Sequence, residues 1–339
     1  MDAATILNTL VKGEDLKAEE TRAFLDQVIE GKMTDAQIGG ILTALRMKGE
    51  TSDEILGLLE AMRAHMLAVS AEGAMDIVGT GGDGVGTFNI STTAAFVIAG
   101  AGVKVAKHGN RAASSKCGSA DVLEKLGVKV ELTPEQAGEV FKKVGMVFLW
   151  APGFHPAMKQ VGKVRKELKI RTIFNILGPF ANPAGTTRQL VGVPNVEIAK
   201  KMAEAAKKLG YQHLLIVSDF NVMDEISLSE KTHAFELQGT SLKKYTIDPE
   251  KYGFKKASKE EFLGGNPEES ADIMRKILGE KERGSRRDIV VLNAGFGLYV
   301  AGLAKTPKEG IAKAEESIDS GKAAAVLEAM VRETKKFAL

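Results

Sequence analysis

The sequence has little cysteine, little net charge and no long apolar run, and each shortage argues against a class of protein. Cys117 is the only cysteine, so no disulfide can form within the chain and a reducing compartment is expected. The formal net charge of +2 does not predict binding to nucleic acid or to a membrane surface. No apolar run approaches a membrane span, and the polar N-terminus is unlike a signal peptide. We therefore expect a cytoplasmic protein whose anion sites are built from individually placed residues.

The length of 339 residues and a change of pattern near residue 70 predict two domains. Residues 1–70 carry apolar side chains at helical spacing and a capping pattern at Thr51 and Glu54, so they predict a small all-helical domain. Residues 71–339 alternate strands with helices, which predicts an α/β domain with a mostly parallel central sheet flanked by helices. Two helices within residues 155–178 are expected to rejoin the helical domain and make it discontinuous.

Short apolar runs predict the strands of this sheet, with ligands beyond the carboxyl ends of the strands. Residues 240–265 are expected to form short antiparallel structure or loop, and the basic run at residues 283–287 a solvated loop. The predicted strands lie at residues 77–78, 103–106, 128–130, 146–149, 214–217 and 289–292.

A glycine-rich loop follows the first strand and leads into a helix at S-T-T-A-A-F. Glycines let backbone N–H groups approach an anion closely, and a helix N-terminus adds free donors, so the stretch predicts a phosphate site. It is neither a Walker A motif nor a clean dinucleotide fingerprint, because no G-K-[ST] follows and Asp83 lies inside the loop. The alternative is a glycine-rich turn without a ligand. The loop glycines are at positions 79, 81, 82, 84 and 86.

A second loop, within residues 107–127, combines cations, hydroxyl groups and glycines after the next strand. Lys107, Arg111 and Lys116 could each contact phosphate oxygens. The alternative is a basic surface loop, but two such loops on successive strands favour a shared phosphate site. Cys117 in this loop is interpreted as a small filler and not as a nucleophile, because no partner base is identifiable.

Two further candidates are less specific. Asp224 and Glu225 follow a strand and, beside phosphates, would suit Mg²⁺; the alternative is a solvated acidic pair. Arg165 lies at the edge of the apolar stripe of a helix and could clamp a carboxylate, with His155 and Asn110 nearby; the alternative is an ordinary surface arginine.

Seven motifs together make the sequence resemble the anthranilate phosphoribosyltransferase family, glycosyltransferases of tryptophan biosynthesis. The resemblance covers essentially the whole chain, and K-H-G-N-R, H-P-A-M and the Asp-Glu pair distinguish it from nucleoside phosphorylases of the same fold. The motifs are G-T-G-G-D at 79–83, N-I-S-T at 89–92, K-H-G-N-R-A-A-S-S at 107–115, G-S-A-D at 118–121, H-P-A-M at 155–158, R-T-I-F-N-I-L-G-P at 171–179 and D-E at 224–225.

The resemblance implies that the donor is phosphoribosyl pyrophosphate (PRPP) and that two Mg²⁺ ions assist its reaction. The implied metal ligands are Ser91, Asp224 and Glu225. The residues implied to surround PRPP are Gly79, Gly82, Asp83, Thr87, Asn89, Ile90, Ser91, Thr92, Lys107, His108, Gly109, Asn110, Arg111, Ala112, Ala113, Ser114, Ser115 and Ser119.

The resemblance also implies an acceptor site and a homodimer joined through the helical domain. The residues implied to contact anthranilate are Gly79, Asn110, His155 and Arg165, and those implied to act in catalysis are Asp83, His108 and Arg165. We expect positioning and electrostatics to dominate, with an oxocarbenium-like transition state and no covalent intermediate, because an aniline nitrogen is unprotonated at neutral pH. His108 would assist proton loss.

The chain departs from the common family pattern in three places. Residues 219–223 read D-F-N-V-M where a glycine-containing stretch is common, Lys163 replaces a frequent proline, and Leu149-Trp150 replaces a smaller pair. We expect the D-F-N-V-M stretch to affect the flexibility of the loop before the Asp-Glu pair. Lys163 and Leu149-Trp150 are expected to reshape the acceptor channel.

Two other functions are the alternatives to this interpretation. A pyrimidine nucleoside phosphorylase of the same fold would use inorganic phosphate and need no acidic metal pair. A non-catalytic homologue that binds nucleic acid would need a strongly basic surface, which the net charge of +2 does not supply.

Overall fold

The computed structural model describes residues 1–112, 115–279 and 282–337. Its first part is a helical lobe of four helices: α1 (Ala3–Val11), α2 (Ala18–Ile29), α3 (Asp35–Lys48) and α4 (Ser52–Ala64). The helices pack mainly as the pairs α1–α3 and α2–α4. Thr34 and Thr51 begin α3 and α4 with capping boxes, in which side-chain oxygens of Gln37 and Glu54 accept the backbone N–H of the cap residue.

The second part is built on one seven-stranded sheet. Its strands are β1 (Met75–Gly79), β2 (Val105–Gly109), β3 (Met146–Trp150), β4 (Arg188–Gly192), β5 (His213–Asp219), β6 (Thr232–Gln238) and β7 (Ser241–Ile247). The strand order is β3-β2-β1-β4-β5-β6-β7. Strands β1 to β5 are parallel to one another, β6 pairs antiparallel with β5, and β7 pairs antiparallel with β6. The order reverses between β1 and β4, so the crevice beyond their carboxyl ends is the expected ligand position.

Successive strand residues alternate between two apolar layers, as the pleat of a strand requires. Ile77 faces a layer that includes α5 (Ile90–Gly100) and α13 (Ser285–Ala301). Val78, Val191 and Ile216 instead join one cluster with α11 (Val196–Ala206) and the helical lobe. The helical lobe therefore shares one apolar cluster with this face of the sheet, and its α4 packs against α11.

The remaining helices cover the sheet or connect the two lobes. In the described ranges, none of the helices is both long enough and apolar enough for a membrane crossing. The helices that cover the sheet or connect the two lobes are α6 (Ser119–Lys125), α7 (Pro134–Val144), α8 (Ala151–Phe154), α9 (Lys159–Leu168), α10 (Phe174–Leu177), α12 (Pro267–Leu278), α14 (Pro307–Asp319) and α15 (Lys322–Lys335).

The segment from α9 to α10, residues 159–177, packs against the helical lobe. Val161, Val164 and Ile173 are buried in its apolar cluster, and the Gln160 side chain donates to the Met33 carbonyl at 3.0 Å. Where one helix was predicted from residue 155, a 3₁₀ turn at Pro156–Met158 precedes α9.

The predicted fold class is confirmed, but two predicted strands are wrong. Residues 289–292 lie in α13, because a helix buried on all sides gives the same continuous apolar run as a buried strand. Residues 128–130 adopt no strand. The basic run is not wholly a solvated loop either: α13 begins at Ser285, and the buried Arg287 pairs with Asp319 at 2.8 Å.

Candidate active site

The glycine loop starts where β1 and β4 end side by side. Gly79 is paired with Gly192 across these strands, and the backbone or side chain of Asp224 fills the space where either residue would carry a Cβ. Four loop glycines, at 81, 82, 84 and 86, have φ between +69° and +76°, which strongly favours glycine there. The Gly81 N–H donates to Asp224 Oδ2 at 2.7 Å. Asp224 of the acidic pair thus packs against the glycine loop and is hydrogen-bonded to it.

Residues 262–264 hold the far end of this loop. The Phe88 N–H donates to the Phe262 carbonyl and the Gly264 N–H donates to the Gly86 carbonyl, both at 2.9 Å. Asn89 then occupies the N-cap position of α5. Ile90 and Thr92 are almost fully buried, so mainly their backbone groups are available to a ligand.

Three carboxyl groups meet beneath the loop. Glu225 Oε1 accepts the N–H of Ser91 at 3.1 Å, in the first turn of α5. Burial, reinforced by Asp83, raises the pKa of Asp224 to about 7, and burial, reinforced by Asp224, raises the pKa of Glu225 to about 8. Oδ2 of Asp83 is buried without a hydrogen-bond partner among the described residues. A cation would favour the ionised form of all three groups.

This donor set fits a Mg²⁺ ion shared with a substrate. Carboxylate and hydroxyl oxygens are hard ligands, and Mg²⁺ usually takes one or two carboxylates together with phosphate oxygens. In the described ranges no group of three His, Cys, Asp or Glu side chains could hold a metal by itself. Ligands from a substrate would therefore be needed to complete such a site.

Lys107 lies under the loop and not at its surface. Its side chain is 1 % exposed, and its Nζ donates to the Ile77 carbonyl and, at 3.4 Å, to the hydroxyl of Ser91. Burial lowers the pKa of Lys107, while Asp76, Glu225 and Asp224 oppose that shift. When it is protonated, Lys107 is a buried counter-charge to the acidic cluster.

A histidine of β2, His108, forms a pair with His155. Their ring centroids are 5.3 Å apart; His108 Nδ1 donates to the Gly178 carbonyl at 3.0 Å and His155 Nε2 to the Ala181 carbonyl at 2.8 Å. Burial lowers the pKa of His108 to about 3 and also lowers the pKa of His155. Because Nδ1 carries the proton of the neutral ring, Nε2 of His108 is an acceptor, and it has no hydrogen-bond partner among the described residues.

Arg165 is half-buried on α9, and its Nε has no acceptor in the part of the chain that the structure describes. Burial lowers the pKa of this guanidinium, which nevertheless remains charged at neutral pH. A buried N–H of this kind is stabilised by an anionic ligand. Asn110 is exposed at the end of β2, and its Oδ1 accepts the Arg111 N–H at 2.8 Å.

In the second loop, Arg111 is directed away from the glycine loop. Its guanidinium pairs with Glu124 at 2.6 Å and Glu131 at 3.0 Å and lies 4.7 Å from the ring centre of Trp150. Contact of this side chain with PRPP would therefore require it to rotate.

Asp121 holds two described positions of that loop by accepting the N–H groups of Ala112 and Gly118 at 2.9 and 2.8 Å. Burial raises the pKa of Cys117 to about 11, so the thiol is protonated at neutral pH and is a poor nucleophile. Gly109 packs against Phe148, Ser115 is exposed and Ser119 begins α6, whereas Ala113 and Ser114 lie outside the described residues.

The structure adds residues that the sequence reasoning missed. Asp76, buried in β1, accepts hydrogen bonds from the backbone of His108 at 3.3 Å and from Asn182 and Gln189 at 2.8 and 3.1 Å, and burial raises its pKa to about 6. An acid in the apolar run before the glycine loop was the available signal. Arg171 donates to carbonyls of the glycine loop. Its place in a recognised motif was a signal, but nothing local predicted its partner.

Comparison with protein families supports the same assignment for both lobes. The profile described as "Glycosyl transferase family, helical bundle domain" matches residues 4–66, and that described as "Glycosyl transferase family, a/b domain" matches residues 71–324. The anthranilate phosphoribosyltransferase of Methanobrevibacter smithii is 48 % identical over 326 residues, which cover 96 % of this chain and 97 % of the relative.

Solved structures of similar proteins cover nearly the whole chain. Anthranilate phosphoribosyltransferase from Thermus thermophilus superposes with a TM-score of 0.92 at 43 % identity, covering 99 % of this chain and 100 % of that one. The Saccharomyces cerevisiae enzyme in complex with PRPP and Mg gives 0.90 at 28 % identity, covering 99 % and 98 %. From its sequence identity and its fold, the chain belongs to the anthranilate phosphoribosyltransferase family.

Proposed function

We propose a residue-level account of how this family member works: it transfers the phosphoribosyl group of PRPP to the amine of anthranilate and releases pyrophosphate. The observation that carries the account is the convergence, beyond β1 and β4, of a left-handed glycine loop with a buried acidic pair. One part supplies N–H donors for phosphate and the other supplies ligands for its cation. The reaction belongs to tryptophan biosynthesis, and the low cysteine content supports a cytoplasmic setting.

On the donor side, Ser91, Asp224 and Glu225 would hold Mg²⁺ against the pyrophosphate, with two ions as the proposed number. The metal supplies charge stabilisation to the leaving group when it is bound. The loop glycines present N–H groups without Cβ atoms in the way, and α5 adds its N-terminus. Lys107 lies beneath the cluster and, when protonated, would offset the repulsion between the carboxylates and the donor.

On the acceptor side, Arg165 would bind the carboxylate of anthranilate through the N–H group that now has no acceptor among the described residues. Asn110 and His155 would complete the contact, with the edge of Gly79 between donor and acceptor. Since Gly79 has no Cβ, the Asp224 carboxylate can pack against the end of β1 and stay close to both substrates.

The chemistry then depends on positioning more than on a strong base. The leaving group departs with negative charge, the anomeric carbon acquires oxocarbenium character, and the neutral amine attacks without a covalent enzyme intermediate. His108 is neutral, so its Nε2 can accept a hydrogen bond from the amine and orient it, although a pKa of about 3 makes it a weak base. Asp83 would face the ribose hydroxyls or the metal shell.

The helical lobe is proposed to act as one unit with residues 155–178 and to carry the dimer contact. Its helices expose apolar side chains: Val11 on α1 is 73 % exposed and Met47 on α3 is 83 % exposed. Apolar surface of this kind favours a second copy of the chain as partner.

The dimer proposal predicts that Met47→Glu shifts the chain toward the monomer in sedimentation velocity at micromolar concentration, because a charge would be buried in the contact. Leu303→Glu, on an exposed residue of the α/β lobe, is the control and should leave the mass unchanged. A wild-type monomer at the same concentration would rule out this proposal.

The activity itself is tested by the loss of anthranilate fluorescence when PRPP and Mg²⁺ are added together. We expect no loss when either is omitted. Turnover of thymidine or uridine with inorganic phosphate, in place of anthranilate consumption, would instead support the phosphorylase alternative.

Arg165→Ala should raise the anthranilate KM about 10- to 100-fold, the range expected when one charged hydrogen-bonding group is lost. The PRPP KM should change far less. Lys166→Ala, at the exposed neighbouring position on α9, is the matched control and should behave like wild type. Equal increases in both KM values would contradict the assignment of Arg165.

The raised pKa values of Asp224 and Glu225, about 7 and about 8, predict a pH-dependent effect of Mg²⁺ on stability. Their folded-state pKa values exceed the unfolded ones, so without metal the folded protein becomes less stable as the pH rises toward 8 and the two groups lose their protons. A bound cation stabilises the ionised carboxylates and removes this loss of stability. In thermal melts with Mg²⁺ and pyrophosphate, the gain in Tm should therefore be larger at pH 8 than at pH 6.

The double variant Asp224→Asn, Glu225→Gln keeps the shape of both side chains and removes their charge, so it should lose this pH-dependent gain and need more Mg²⁺ for activity. An unchanged Mg²⁺ profile in the variant would exclude these residues as ligands.

A further inference from the structure

Arg171 is a side chain that the account above does not use, and it reaches from the helical lobe to the glycine loop. Its Nη1 donates to the carbonyl oxygen of Gly82, and its Nη2 donates to that of Gly81 at 3.3 Å. The fit is close, because a Cβ at Gly82 would overlap the guanidinium. A planar arginine fork suits two neighbouring carbonyl groups, since its donors lie in one plane.

The loop is therefore held from two sides. Gly81 donates its N–H to Asp224 on the sheet side and accepts from Arg171 on the side of the helical lobe. Gly81 and Gly82 both have left-handed backbones, at φ +69° and +72°. Glycines have wide conformational freedom, so these contacts decide which way the two peptide groups face.

The backbone that carries Arg171 is held in place by the residues that follow it. Ile173 and Phe174, which follow it, are buried in the apolar cluster of the helical lobe, and the Thr172 N–H donates to Asn175 Oδ1 at 2.9 Å. Arg165 lies six residues earlier in the same segment, on α9. Arg171 thus links the loop proposed to bind the donor with the segment proposed to bind the acceptor.

We propose that Arg171 is a positioning residue for phosphoribosyl transfer: it orients the Gly81–Gly82 peptide groups for the donor and ties the glycine loop to the acceptor segment. This inference rests on the proposed function of the loop. Arg171 acts through the two carbonyl groups and does not touch the reacting atoms. Without it, the loop is less ordered before binding, and part of the binding free energy of PRPP is used to order it.

The test compares Arg171→Ala, Arg171→Lys and the control Lys166→Ala in two assays. In steady-state kinetics, Arg171→Ala should raise the PRPP KM about 5- to 20-fold, as expected for a charged but exposed donor pair. The anthranilate KM should change less than about twofold by the same reasoning. Arg171→Lys, which keeps the charge but not the fork, should fall between wild type and Arg171→Ala.

The second assay is amide hydrogen exchange of peptides spanning residues 80–86 without substrate. Arg171→Ala should exchange faster there than wild type, and Lys166→Ala should match wild type. Unchanged exchange together with an unchanged PRPP KM would overturn the inference. So would equal rises in both KM values accompanied by a lower Tm, because that pattern indicates a general structural role.

The two assays also separate this inference from the function on which it rests. If wild type consumes no anthranilate with PRPP and Mg²⁺, the proposed function fails, while faster exchange in Arg171→Ala still supports the contact as a restraint on the loop. If wild type is active and Arg171→Ala is kinetically and dynamically like it, the positioning role alone is refuted.

Discussion

The site depends on one steric constraint, the packing of Asp224 against the ends of two neighbouring strands. Gly79 and Gly192 close β1 and β4, and a Cβ on either would displace the acid. Because neither glycine carries a Cβ, the backbone of Asp224 enters the crevice where the strand order reverses, and its carboxylate accepts the Gly81 N–H. The same contact therefore places the acidic pair and orders the first residues of the glycine loop.

Around this contact the protein keeps polar groups in a costly arrangement. Asp83 and Arg165 each bury an atom without a partner in the described structure, and burial, reinforced by a neighbouring carboxyl group, raises the pKa values of Asp224 and Glu225. A folded chain without ligands gains nothing from such an arrangement. The arrangement is explained if a polyanion, its cation and a carboxylate supply the missing partners. Natural proteins accept such local costs at functional sites.

Several features could be predicted from the sequence because their causes are local. Thr51 and Glu54 lie three residues apart and form a capping box regardless of the rest of the fold. The glycines at 81 and 82 adopt left-handed backbones that other residues avoid. The run at residues 289–292 could not be assigned in this way, because continuous burial hides the period that separates helix from strand.

The sequence by itself determined the fold class and the family and predicted the segments of the candidate site, since periodicity, caps and motifs act over a few neighbouring residues. Tertiary structure decided what each side chain does there. It buried Lys107 under the loop, turned Arg111 onto Trp150 and brought Arg171 to Gly82, 89 positions away in sequence. Charge state and direction depend on which distant segments exclude water and supply partners, and only the packed chain specifies those segments.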